Sequence, residues 1–375
     1  MANTANKLDQ VTDDGAKQRA PVESTSAQPE RATVHEMPPL RPIPSEWRPT
    51  NSEWMSHPLT AAEIPLQTPT VQRMYETVQI AAKSRISGRY FKAAHDDGVT
   101  ETLRALREML EESVTGLCTV YHAFAPGRTE ETERKLYNSF LMSVTGTLMP
   151  GAVNDLRGRL LNRLCELASK SASRTLVLLL DDLEHITEWD VGLIRHMRHA
   201  MHDQGFGLTV FSGGHDPDMN VLDDRIRKGK LRAEVWNEVK EAEVEFTSAG
   251  SIEDVHDIFQ SIDQQQHAGV TWTTFFLPEA CGRRFSLAEE IENFKGALGM
   301  TSKKARTDPF IVGIPIRSLI RTVLIFFHFA SEFELGRLTP DVRFKCWQQA
   351  IEWVRLIEVV NGKCDAGIFN GGQPR

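Results

Sequence analysis

Ala93-Ala-His95-Asp96-Asp97-Gly98-Val99-Thr100 follows a short apolar strand pattern and runs directly into a helix pattern. That length and placement match a phosphate-binding loop of the form GxxxxGK[ST], in which backbone N–H groups and a helix N-terminus surround a phosphate chain. Gly98 and Thr100 fit the pattern, and Asp97 and Val99 complete the candidate loop. Ala93 stands at the first glycine position, and Val99 replaces the lysine that would reach the phosphates. The same residues also read as a turn and helix cap, with Asp97 on the first N–H groups of the helix, and both readings stay open. A second stretch, Leu180-Asp181-Asp182-Leu183-Glu184-His185, puts carboxylates directly after the apolar run Thr175–Leu180. Asp181 is placed to hold Mg²⁺ together with Thr100, and Asp182 to orient an attacking water, although its side chain is one methylene shorter than the glutamate usual there. A third, Phe211-Ser-Gly-Gly-His215, brings small polar groups beside that position, with Ser212 able to sense a terminal phosphate.

Such loops act together only if the elements between them form a parallel sheet, because ligands bind beyond the carboxyl ends of its strands. The hydrophobic spacing predicts that arrangement. Val71, Met74, Tyr75, Val78 and Ala82 mark a helix behind Thr68-Pro69, and Arg89–Ala94 reads as a strand. Leu103, Leu106, Met109 and Leu110 give a helix and Leu117–Phe124 a strand. Two helices carry Leu136 to Leu148 and Leu156 to Leu167. Thr175–Leu180 reads as a strand buried on both faces, followed by a helix over Val191–Met201 and a strand at Gly207–Phe211. Strand and helix in this alternation specify an α/β parallel sheet with helices on both faces. From Ser251 the pattern is helical throughout, through the apolar Ile316–Phe329 and the amphipathic Val342–Val360, which gives an all-helical C-terminal lobe. The expected organisation is a disordered Pro-rich tail over 1–58, an α/β nucleotide-binding-type domain over 59–250 and a helical lobe over 251–375. Trp47 and Trp54 in the tail read as a clip onto its own domain, with a partner-docking motif as the alternative.

In this order and at these intervals the three loops resemble an AAA+ P-loop ATPase, and within that group the ATP-binding transposition regulators of the TniB/TnsC type, which activate a DDE transposase. The resemblance runs from about His57 to Asp263. It includes Leu222-Asp-Asp-Arg225-Ile226, which is similar to the Leu-x-x-Arg-Phe element whose arginine reaches a neighbouring copy's nucleotide. It implies ATP and Mg²⁺ as cofactors, a homo-oligomer, and duplex DNA and a transposase as partners. The changes at Val99 and Asp182 imply weak or absent hydrolysis, leaving an assembly or adaptor role. A degenerate scaffold or signalling protein without DNA binding is the other reading.

Fifty-one acidic against 43 basic side chains leave a net charge of −8, which argues against a surface that coats nucleic acid everywhere. One run reverses that sign: Arg225, Arg227, Lys228, Lys230 and Arg232 put five positive charges into eight residues. Both a phosphate-backbone contact and a solvated loop fit it. His185, His196, His199 and His202 read as a polar helix face, and the five cysteines carry no CxxC spacing. No apolar run is long enough to span a bilayer and no signal-like N-terminus is present, so a cytoplasmic protein with no membrane partner is expected.

Overall fold

The computed structural model describes residues 49–365 apart from 62–65, 67, 95, 114–115, 127–132, 217, 230–231, 241, 247–248, 279–284, 302–307 and 334–337. Five strands form one parallel sheet: β1 (Arg89–Ala94), β2 (Cys118–Ala123), β3 (Thr175–Asp181), β4 (Gly207–Asp216) and β5 (Ala242–Glu245), in the order β2-β3-β4-β1-β5. All seven residues of β3 are buried. Its period-two alternation sends Leu176, Leu178 and Leu180 to one face and Val177 and Leu179 to the other. The first face is covered by α5 (Glu133–Thr145), α6 (Val153–Lys170), α7 (Glu188–Asp203) and α9 (Ala233–Lys240), through residues such as Phe140, Leu160, Ile194 and Trp236. The second is covered by α3 (Pro69–Ser84) and α4 (Val99–Glu112), through Val78, Leu103 and Leu106.

Local chemistry sets the ends of these helices. Thr68 caps α3 by accepting from Val71 N–H, with Pro69 at the first helical position, where its missing N–H costs nothing. Thr187 and Asp190 form a reciprocal capping box on α7. In two places the structure differs from the sequence pattern. The Ser212-Gly-Gly segment expected as a loop is strand, because β4 continues to Asp216 in register with β1, Phe91 opposite Gly213 and Ala93 opposite His215. Val342–Val360 is broken in two, since Arg355 ends the helix Pro340–Val354 in a left-handed conformation before a second helix, Leu356–Asp365.

Beyond β5 the described residues form helices, a two-stranded hairpin (Gln266–His267, Val270–Thr271) and an isolated bridge between Ala249 and Ile314. Trp347, fully buried, stacks on Phe326 at 3.9 Å between ring centres and on Phe259 at 5.5 Å. The segment before α3 joins this lobe. Thr50 and Glu53 form a capping box on α1 (Asn51–Ser56), and Trp54 meets Phe276 edge-on at 4.6 Å. Trp47 and the Pro-rich run Met37–Ser45 lie outside the described residues. No described helix is long and apolar enough to cross a membrane.

His57, between α1 and α2 (Pro58–Ala61), is fully buried among Trp272, Phe275 and Phe276, and its Nδ1 accepts from Leu59 N–H at 3.1 Å. Burial, with a smaller contribution from His267, lowers its pKa from 6.5 to about 4. The unfolded chain therefore takes up a proton that the folded chain refuses. Stability from this group is complete above pH 6.5 and is lost as pH falls from there towards 4, by on the order of 3 kcal/mol. Chemical denaturation between pH 7 and 4 should show this decline, and His57→Phe should flatten it.

Candidate functional site

The connections leaving β1 and β4 pass to opposite faces of the sheet, so their carboxyl ends flank a crevice, and the three sequence-selected stretches meet there. β1 ends at Ala94 as expected, so Ala93 and Ala94, the first two positions of the loop pattern, belong to the strand. The turn that follows closes on itself. Asp97 N–H donates to Ala94 O at 3.2 Å, and the buried Asp97 carboxylate accepts from Ala94 N–H at 3.1 Å. Asp97 thus bonds back to the strand, and the cap of α4 is Gly98 at φ +83°. Val99 opens the helix fully buried, packed with Leu103 over Gly213, where a side-chain carbon would lie 2.7 Å from Val99 Cγ2. Thr100 is half-exposed in the first turn of α4.

A helix of the C-terminal lobe, Ile316–Ser331, caps this turn. Its first residue lies over Gly98 so closely that any side-chain carbon there would collide with Ile316 Cγ2. Arg317 N–H donates to Asp96 O at 3.3 Å, its guanidinium pairs with Glu101 and lies 3.6 Å from the Asp96 carboxylate. Alongside is a cavity of about 290 Å³ whose wall includes Leu59, Thr68, Gly98, Ile316, Ile320 and Arg321. Ile316 and Arg317 escape sequence reading because they belong to an apolar helical run more than 200 residues away from the loop they cover.

At the end of β3, Asp181 is buried. Tyr121 O–H donates to its Oδ2 at 2.5 Å, and the backbone N–H of Asp182 donates to its Oδ1 at 3.0 Å. Burial first, then the Asp181 charge, raises the Tyr121 pKa. Asp182 turns the chain in a left-handed conformation, φ +54°, into a single 3₁₀ turn, Leu183–His185. Burial, reinforced by Asp181 and Glu184, raises its pKa. Glu184, which lies in the candidate stretch but carried no assigned role, accepts from His215 twice: backbone N–H to Oε2 at 3.1 Å, and Nδ1 to Oε1 at 3.2 Å. Burial raises Glu184, yet these bonds bring it below the usual range, and the bond to Glu184 raises His215.

Ser212 stands apart from this group. It is fully buried and its hydroxyl donates to Val239 O at 2.8 Å, tying β4 to the end of α9. Arg225 is exposed on α8 (Asp218–Arg227). Arg227 pairs with Asp224, Lys228 lies 3.5 Å from the same carboxylate, and Arg232 lies 3.8 Å from Glu188. Lys230 lies outside the described residues.

No protein-family model matches the sequence, and no curated protein sequence matches it. Among solved structures, the chain superposes on the Aeropyrum pernix ORC2 protein, in its ADPNP–ADP complexes, with a TM-score of 0.50 at 11% identity, over 78% of this chain and 70% of that one. The fold is that of an AAA+-like P-loop NTPase. Looser similarities, with a TM-score of 0.37 each, link it to Aeropyrum pernix ORC1 in complex with DNA (14% identity, 81% of this chain, 85% of that one) and to Cdc6p from Pyrobaculum aerophilum (13%, 84% and 91%).

The packing of Ile316 on Gly98 can be measured by a double-mutant cycle. Gly98→Ala combines a left-handed alanine with overpacking and should cost about 2–4 kcal/mol. In an Ile316→Ala background the steric part disappears, so the two losses should fall short of additivity by about 1 kcal/mol or more in denaturant titrations.

Proposed function

We propose that this protein is an AAA+-like adaptor that acts by assembly, with weak or absent ATP hydrolysis, in the manner of the transposition regulators its sequence resembles. The observation that carries this reading is the turn after β1. There an AAA+-like fold carries a closed turn, an inward-facing valine and an apolar lid where a phosphate-cradling loop would stand.

The residues present do not fit magnesium-bound ATP. No lysine enters at Val99. The Ala94 N–H is taken by Asp97, the backbone at Gly98 is covered by Ile316, and Arg317 is engaged by two carboxylates. Asp181 and Thr100 as a Mg²⁺ pair, Asp182 as a water-orienting base, Ser212 as a phosphate sensor and Arg225 as a neighbour-reaching group are accordingly vestigial assignments in this reading: positions of a degenerate nucleotide site. The working surfaces are then those for duplex DNA, a DDE transposase and further copies of the chain.

Calorimetry with Mg-ATP and a phosphate-release assay test the proposal. Submicromolar binding or clear turnover would overturn it. Val99→Lys should not create binding. It forces an ammonium into the contact of α4 with β4, and should lower stability by about 3–5 kcal/mol.

For DNA, the exposed run ending α8 is the proposed contact. Lys228→Ala with Lys230→Ala should weaken duplex binding on all sequences alike and flatten the slope of log affinity against log salt by about two. A second reading, a scaffold without DNA, draws on the pairing of Arg227, Lys228 and Arg232 with Asp224 and Glu188, which already offsets part of that charge. Unchanged affinity and slope in the double variant would favour it.

A further inference from the structure

The ends of β3 and β4 hold a group of side chains that the adaptor reading leaves unused. Glu184 Oε1 and His215 Nδ1 are 3.2 Å apart, His215 Nδ1 and Asp182 Oδ1 are 3.9 Å apart, and ligand atoms of the three residues all lie within 4.8 Å of one another. A tetrahedral ion with ligand bonds of about 2.0–2.1 Å needs its ligands about 3.4 Å from each other, so small rotations of two side chains bring all three into range, the ion displacing to solvent the Nδ1 proton that bonds Glu184. We propose that Asp182, Glu184 and His215 bind a divalent transition-metal ion of the zinc class, independently of any nucleotide.

Two observations beyond proximity support this. The first is charge. The side chains of Asp181 and Glu184 are 1% and 6% exposed and that of Asp182 is 35% exposed, yet among the described residues no lysine or arginine pairs with any of the three. Only imidazoles offset the three carboxylates among the described residues: His215 faces all three, and His185 acts on Asp182. Buried carboxylates normally have a cation, and a dication supplies it here. The second is orientation. The His215 backbone N–H holds Glu184 Oε2, which fixes the carboxylate with Oε1 towards the imidazole, as outer hydrogen bonds do for metal-binding carboxylates. Gly214 makes room for this, since a side-chain carbon there would stand 3.0 Å from Glu184 Oε2 and 2.5 Å from Met219 Sδ. The donor set of one imidazole nitrogen and two carboxylates suits Zn²⁺, Co²⁺ or Ni²⁺ over the all-oxygen preference of Mg²⁺. Three protein ligands leave a fourth position on the exposed side of Asp182 for water.

The full-length protein, stripped with a chelator, is titrated with Zn²⁺ by calorimetry and thermal shift, with Co²⁺ as a visible probe and Mg²⁺ as control. The expected result is one equivalent of Zn²⁺ bound in the micromolar range or tighter, a raised Tm, and Co²⁺ absorption bands of a low-coordinate nitrogen–oxygen site. Asp182→Asn and Glu184→Gln should each weaken Zn²⁺ binding by roughly tenfold or more, while His199→Ala, on the polar face of α7, should not. Should Glu184→Gln fail to fold, Asp182→Asn decides, since its side chain is partly in solvent. The proposal is overturned by absence of saturable Zn²⁺ binding, by binding indifferent to both carboxylate variants, or by Mg²⁺ binding as tightly as Zn²⁺. None of these outcomes bears on the adaptor reading, which stands or falls with ATP and DNA.

Discussion

The parallel pairing of β4 with β3 on one side and β1 on the other is the constraint from which the rest of the structure follows. A central parallel strand has no solvent face, so both sides of this trio must be covered by helices, and the chain leaving β1 has to take the opposite face from those leaving β3 and β4. That divergence opens the crevice in which the turn after β1, the carboxylates after β3 and the end of β4 meet. Val177 and Leu179 on one face and Leu176, Leu178 and Leu180 on the other anchor the two cores that hold it in place.

Within that frame the turn after β1 is held by interactions of a different kind from those a phosphate site requires. A phosphate loop leaves N–H groups pointing outward and keeps a cation ready beside them. Here Asp97 draws the turn back onto Ala94, Val99 joins the core, and Ile316 and Arg317 close the outside with one apolar contact and one set of ion pairs. The helical lobe is thereby joined to the α/β part by contacts within the chain. Arg73 and Asp254, 3.4 Å apart, add a second tie across the same boundary. Both ion pairs are partly exposed and contribute modestly; the buried apolar contact sets the geometry.

Sequence reading reached the elements better than the site. β1 was legible to the residue, because Arg89–Ala94 is bounded by turn chemistry on both sides, and β3 because five successive apolar residues admit no other placement beside a short loop. β4 was read five residues short. Ser212-Gly-Gly has the composition of a loop, and only the neighbouring strand β1, with Val99 and Leu103 pressing on Gly213, explains why small residues continue the ladder there. β5 was missed, since Ala242–Glu245 carries the alternating charge of a sheet edge rather than an apolar run.

The sequence by itself determined the two-faced sheet, the helical lobe and the positions of the three strand-end stretches, because hydrophobic period and turn composition are local properties. It also placed Val99, and no lysine, at the start of the helix that follows β1. Only the tertiary structure decided what fills the place: Ile316 and Arg317 come from the far lobe, and nothing in their own neighbourhood marks them. The same holds for Glu184 and His215, 31 residues apart, whose contact depends on Asp182 turning left-handed at the end of one strand while the next strand runs past it. Distances between side chains on different elements are set by how the sheet twists and the helices pack, and no spacing along the chain encodes them.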